Sequence, residues 1–488
     1  MPNRRLRPRA LTISAFLTLA PLIGGCTVGP DFRRPDTASP DTYTREPLDN
    51  LAAGDQRLVA GGSPAALWWS VFESDALNAT MTQALAGNRT LASARASVAQ
   101  AREAVNASAG ALYPQATLGA GAGREKYGAQ FGGSVVFPPF TYYAVGPSVS
   151  YLFDYTGGQR RALEQKQALA DTQQYQLQAA YLSLTGNVAR EALAMASARA
   201  QLDALETLLA EDRQNLTLVQ TAFEAGSVTR VDVLSAESQL ANDRTLLPPL
   251  RQQLSVARHA LSILAGHAPA DWQPPEFKLS ELRLPHELPL SLPSELVHHR
   301  PDILAAESQL HAATAAVGVA TAALYPQITL TASLGQQSTQ LSQFFDHAST
   351  SWGLAAGLTA PLFDGGTLRA QRRQAQDAAQ AALADYEQAV LQSFGQVADV
   401  LTALDHDAEE LSAQKNALDA ASASLNLTRE SYKVGNVGVL QVLDAERQYQ
   451  QAQLGFVRVQ AQRHLDTVQL FLALGGNAPG PDTVSVAR

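Results

Sequence analysis

Two stretches of this chain alternate large apolar residues with small or polar ones. In Tyr142–Phe153, Tyr143, Val145, Pro147, Val149, Tyr151 and Phe153 alternate with Ala144, Gly146, Ser148 and Ser150. Ser351–Leu362 echoes the pattern, with Trp352, Leu354, Ala356, Leu358 and Leu362 set against Ser351, Gly353, Ala355, Gly357 and Thr359. Neighbouring side chains of a strand point to opposite faces, so each stretch predicts a strand with one apolar and one small or polar face. A half-buried strand of a soluble sandwich fits that pattern. So does a strand between lipid and a water-filled lumen, its backbone satisfied by barrel closure.

Elsewhere the period is helical. Leu177, Tyr181, Leu184, Val188, Met195, Ala198, Leu202, Leu205, Leu209, Leu216, Val219 and Phe223 follow a four–three spacing, interrupted by Glu191 and Asp212. A second seam runs through Val390, Phe394, Val397, Leu401, Leu404, Ala408, Leu411, Leu418, Leu425 and Tyr432, broken at Lys415, Ser422 and Arg429. Such heptads predict coiled-coil packing, and about 65 residues of helix from Gly158 to Glu224 would reach roughly 100 Å. Gly226 and Gly435 end these helices, and return helices are predicted over Val231–Ala265 and Leu440–Leu474. A kink or break is expected at Pro248-Pro249. A helix over Asp75–Tyr113 is expected to break at Gly87-Asn88, with Asn88 capping the restart.

The chain is written twice, at an offset of about 210 residues. ALYPQATL at Ala111–Leu118 recurs as ALYPQITL at Ala323–Leu330, and VLSAESQ at Val233–Gln239 as VLDAERQ at Val442–Gln448. LFD and a Gly-Gly pair recur at Leu152–Asp154 and Leu362–Asp364, and LAGHAP at Leu264–Pro269 matches LGGNAP at Leu474–Pro479. A repeat this long is a duplicated domain half, not a solenoid unit. The expected divisions are 1–25, a signal peptide; 26–74, an N-terminal segment; 75–265, the first repeat; 266–300, a proline-rich and irregular linker; 301–475, the second repeat; and 476–488, a tail.

Composition and charge add an address. Arg4, Arg5, Arg7 and Arg9 precede the apolar run Ala10–Ile23, then Gly24, Gly25 and the sole cysteine, Cys26. That order is a secretory signal, and a lone cysteine forms no internal disulfide. LIGGC resembles a lipobox, in which Cys26 becomes the acylated mature N-terminus, and Thr27 after it implies delivery to the outer membrane. Without residues 1–25, which hold four arginines and no acid, 32 Lys and Arg face 45 Asp and Glu, a net −13. That charge argues against nucleic acid as a partner. No apolar run of eighteen or more residues follows the N-terminus.

CTVGPDFRRP at Cys26–Pro35, WWSVFESDAL at Trp68–Leu77, the two YPQ blocks, HRPDI at His299–Ile303 and GNVGVLQVLDAERQ at Gly435–Gln448 together resemble the outer-membrane efflux channel family, in its lipoprotein branch. The resemblance covers Cys26 to about Pro479. It implies a mixed α+β membrane protein: a homotrimer whose protomers, each internally duplicated, give four strands apiece to a twelve-stranded outer-membrane β-barrel. Their helices would continue it as a long periplasmic α-helical barrel. The implied function is the passive exit duct of a tripartite efflux system, with a periplasmic adaptor (membrane fusion protein) and an inner-membrane transporter of the resistance–nodulation–division (RND) type as partners, outer-membrane lipid around it, and no cofactor beyond lipid on Cys26.

Transferred onto this sequence, the periplasmic gate falls on Asp444, with Leu440 one turn earlier and Arg447 one turn later. Three Asp444 carboxylates would ring the axis and three Leu440 would make an apolar constriction. The repeat equivalent of Asp444 is Ser235, so one tip alone supplies the acid. Adaptor contacts are expected at the exposed tips, Gly226, Ser227, Gly435 and Asn436. A solvated coiled-coil charge remains the plain alternative for Asp444. Asp154 and Asp364 are read as caps of the long helices, Phe131, Phe137 and Phe140 as residues of the first external loop, and His298-His299 as loop neighbours. No nucleophile elbow, phosphate loop or metal-ligand spacing stands out, so an enzyme is not expected. Two other readings stay open: a type I protein secretion channel and a periplasmic coiled-coil adaptor, which would lack the four alternating strands.

Overall fold

A computed structural model describes residues 27–36, 40–45, 56–62, 64–128 and 138–476. Cys26, Phe131 and Phe137 lie outside the described residues. In chain order the elements are β1 (Arg57–Ala60), α1 (Asp75–Gly87), α2 (Arg89–Gly110), β2 (Gln115–Glu125), β3 (Phe140–Phe153), α3 (Gly158–Glu224), α4 (Arg230–Arg244), α5 (Leu247–Leu264), β4 (Glu287–Leu290), α6 (Pro293–His299), α7 (Pro301–Ala322), β5 (Gln327–Ser338), β6 (Thr350–Thr359), α8 (Thr367–Lys433) and α9 (Val439–Ala473). The two long helices, α3 and α8, have 67 residues each. None of the described helices is long and apolar enough to cross a membrane.

The breaks follow local chemistry. Between α1 and α2, Asn88 Oδ1 accepts from the Leu91 N–H at 2.9 Å, capping the restart. Between α4 and α5 the chain turns at Thr245-Leu246, and Pro248-Pro249 sit in the first turn of α5, where missing N–H groups go unused. β6 stops at Thr359, short of Leu362, because its partner β5 begins at Gln327, opposite Thr359, and offers no ladder beyond. Phe140 starts β3 and packs against Tyr127 with ring centroids 5.7 Å apart, so it belongs to a strand, not a loop. His298 and His299 close helix α6. The linker is less irregular than expected: besides α6, its β4 pairs in parallel with β1.

The described residues divide into two units. One comprises the described parts of Met1–Pro35, Ala99–Thr172 and Ala306–Tyr386. It holds an antiparallel sheet in the order β2-β3-β5-β6, so among the described residues β2 and β6 are each paired on one side only. Pro147 lies in the interior strand β3, where a missing N–H would break a ladder. Pairing of β3 with β5 jumps from Val145↔Gln336 to Ser148↔Ser333, and the proline sits in that gap. In this unit the Thr27–Pro35 strap is pinned by Arg161, whose guanidinium meets Asp31 at 2.5 Å, by the Arg34–Glu307 ion pair, and by Phe32 stacked on His311. Asp154 accepts from the Arg160 N–H and Asp364 from the Leu368 N–H, each capping a long helix.

The other unit comprises the described parts of Asp36–Val98, Gln173–Ala305 and Glu387–Arg488. Trp68, Phe72, Met81, Phe277 and Phe471 are buried there, with Trp68 stacked on Phe471. Arg300 of the HRPDI block forks onto Asp302 and donates to the Ala473 carbonyl, satisfying the C-terminal end of α9. Along the coiled coil, Leu202, Leu205 and Leu209 of α3 pack with Leu240 of α4 and Leu250 of α5.

Candidate functional site

The candidate site is built where the long helices turn. After α3, Gly226 takes φ +76°, and the Ser227 N–H reaches back to the Ala222 carbonyl at 2.9 Å. After α8, Gly435 takes φ +78°, and the Asn436 N–H reaches the Ser431 carbonyl at 2.9 Å. A positive φ is cheap for glycine alone, so these two residues fix where each hairpin folds back. Thr229 then starts α4 with a reciprocal cap, its N–H donating to Asp232 Oδ2 at 2.7 Å. These hydrogen bonds hold the Asp232 carboxyl below its ordinary value.

An apolar cluster joins the two turns: Val219, Val233, Ala236, Val439 and Leu443, with Val228 and Tyr432 against it. Beside it opens a cavity of about 770 Å³ lined by Leu218, Val228, Tyr432, Val437 and Val442, with Arg429 at its polar side. Ser227 and Gly435 line this cavity.

Leu440, Asp444 and Arg447 share the exposed face of α9. Leu440 is 51% exposed. The Arg447 guanidinium meets the Asp444 carboxylate at 2.5 Å, and Gln448 Nε2 donates to its other oxygen at 2.8 Å. Within one chain Asp444 therefore carries its own counter-charge. The opposite face, with Val439, Val442, Leu443 and Glu446, is buried.

The sequence reading assigned no role to Glu446. Its side chain is 1% exposed, and Arg429 of α8 donates to it at 3.0 Å while also reaching Glu211 of α3 at 2.7 Å. Asn215 of α3 donates to the same Glu446 oxygen. Burial pushes the Glu446 carboxyl up and Arg429 pulls it back. One cation thus ties α3, α8 and α9 together just behind the turns. The signal was present: Arg429 interrupts the apolar seam of α8, and Glu446 stands inside the VLDAERQ block.

Residues 80–267 and 292–476 match the family model of outer membrane efflux proteins. The chain is similar to the toluene efflux pump outer membrane protein TtgF of Pseudomonas putida, with 32% identity covering 96% of this chain and 97% of that one. It is 33% identical to the pyoverdine export outer membrane protein OpmQ of Pseudomonas aeruginosa, over 89% of this chain and 93% of its relative. The solved outer-membrane channel OprN superposes with a TM-score of 0.85 at 30% identity, covering 92% of this chain and 99% of that chain.

Proposed function

Because the chain belongs to the outer membrane efflux protein family, and so is the outer-membrane exit channel of an efflux system, we propose that it acts as a passive homotrimeric duct gated at the turns of its long helices. The observation that carries this reading is the four-stranded sheet whose two edges have no partner among the described residues. A lipid-exposed edge is untenable, and four strands are too few to close around a lumen. Three copies supply twelve strands and leave no edge. The acyl chains on Cys26 add a second, weaker hold on the membrane. Four membrane strands also separate this chain from a coiled-coil adaptor.

The gate is the exposed face of α9. Three Asp444 carboxylates and three Leu440 side chains, brought around the axis, would narrow the lumen by charge and by an apolar ring. The Asp444–Arg447 pairing offsets part of that charge. The cavity between the two turns, with Ser227 and Gly435 on its lining and Gly226 and Asn436 at the bends, receives the adaptor, which links the duct to an RND transporter. Cargo is chosen by that transporter: the relatives' names already differ between toluene and pyoverdine.

Planar-bilayer recording tests the proposal. The mature protein should form channels of low conductance, Asp444→Ala should raise that conductance, and Arg447→Ala should increase cation selectivity by unmasking the carboxylates. Absence of channels would remove the duct, and unchanged conductance in Asp444→Ala would remove the gate alone.

A further inference from the structure

Two acid pairs, each with at least one buried member, repeat one arrangement in the two hairpins. Asp212 of α3 is 3% exposed, neither of its oxygens has a donor among the described residues, and it faces Asp243 of α4. Asp407 of α8, also buried, leaves Oδ2 without a donor among the described residues and faces the half-buried Asp466 of α9. On each return helix a glutamine one turn earlier donates to the second aspartate at 2.8 Å: Gln239 to Asp243 Oδ2, and Gln462 to Asp466 Oδ2.

The pairs are not copies left by the duplication. At the offset relating α3 to α8, Asp212 corresponds to Ala421, and Asp407 corresponds to Ala198. The same device has been built twice, at two distances from the turns.

Two ionised carboxylates offer only acceptors to one another, and where one of them is cut off from water the charged form of the pair is disfavoured. A single proton between them turns that repulsion into a hydrogen bond. We propose that each helical hairpin is fastened by a carboxyl–carboxylate clasp holding one shared proton, and that the helices loosen when the two protons leave.

The surroundings favour retention of the proton. Around Asp212 stand Asp243 from α4, Glu446 from α9 and Glu211 on its own helix, while Arg429 is engaged by Glu211 and Glu446. Around Asp407 stand Asp466 and Arg463 from α9 and Glu410 on its own helix; Arg463, the opposing charge, also donates to Gln56. Burial first, and then the facing carboxyl, push Asp212 and Asp407 up to about 7. In an unfolded or opened hairpin these groups return to the ordinary value of 3.8. The clasp therefore binds a proton that the open form releases. Its contribution is complete below about pH 4, declines as pH rises, and is gone above about pH 7.

The mature protein in detergent micelles tests this by two readouts. Hydrogen–deuterium exchange in α3–α4 and α8–α9, corrected for intrinsic rates, should be about tenfold faster at pH 8 than at pH 6 around both pairs. The infrared carbonyl band of a protonated carboxylic acid should be present at pH 6 and titrate away near pH 7. In Asp243→Asn/Asp466→Asn the amide donates to the facing carboxylate without a proton, so the exchange slope should flatten and the band should shrink. A wild-type spectrum without a titrating protonated carboxyl, or an undiminished slope in the double variant, would overturn the proposal. If the variant fails to fold, the wild-type band and slope still decide it.

Discussion

Arg429 stands where the apolar seam of α8 would otherwise continue, and its effect there depends on what it faces. It is the cation between Glu211 and Glu446, and Glu446 is almost wholly enclosed. Removing one partner of a buried pair leaves the other charge unsolvated, at about 3 kcal/mol or more. Arg429→Ala should therefore lower the unfolding temperature and raise channel conductance, since α3, α8 and α9 lose their common tie. Glu446→Gln in the same background should restore most of the stability by removing the stranded charge, as differential scanning calorimetry would show. At this scale the sequence was informative through its violations. Asp212 and Arg429 appeared as misses in otherwise regular heptads, and both proved to be buried or bridging polar groups. Conflict between a local pattern and a residue is the mark of a site. Their partners were not legible, because Asp243 and Glu446 come from return helices whose rotation about the seam no spacing specifies.

Elements were legible in proportion to their length. The long helices were readable because many heptads agree, and their ends because glycine at positive φ terminates them. The short linker was not: β4 exists only because β1, about 230 residues earlier, pairs with it, and a four-residue strand has too few positions to show a period. β3 was readable as a strand but not its irregularity at Gly146-Pro147. There the chain crosses β5 so closely that a Cβ on Gly146 would lie 2.2 Å from the Leu334 carbonyl oxygen. Gly119, its partner across β2, has open space where a Cβ would stand. Gly146→Val should thus abolish most barrel assembly, whereas Gly119→Val should leave it nearly intact. Heat-modifiable mobility on gels reads the difference directly, and equal behaviour of the two variants would mean that β3 and β5 are not so paired.

At the scale of the whole molecule, one chain does not account for its own surface. Trp352 and Leu354 of β6 are each 79% exposed and Leu358 is 69% exposed, on a strand whose outer edge has no partner among the described residues. Water would penalise that face and lipid would not, since each strand group finds its hydrogen bond once sister copies complete the ring. The count of copies is not written in any residue; it follows from the number of strands that closure requires. Alternation along β6 also orients the strand. Leu354 and Leu358 belong to the lipid face, while Gly353, Ala355 and Gly357, at the alternate positions, belong to the lumen. Leu354→Arg should then cost about 2–4 kcal/mol by placing a cation in hydrocarbon near the bilayer midplane. Ala355→Arg should insert normally and instead reduce conductance, because the guanidinium stays in water inside the pore. Trimer yield in detergent and single-channel current, measured on both variants, separate the two faces. A reversal, with Leu354→Arg assembling well and Ala355→Arg failing, would turn the sheet inside out.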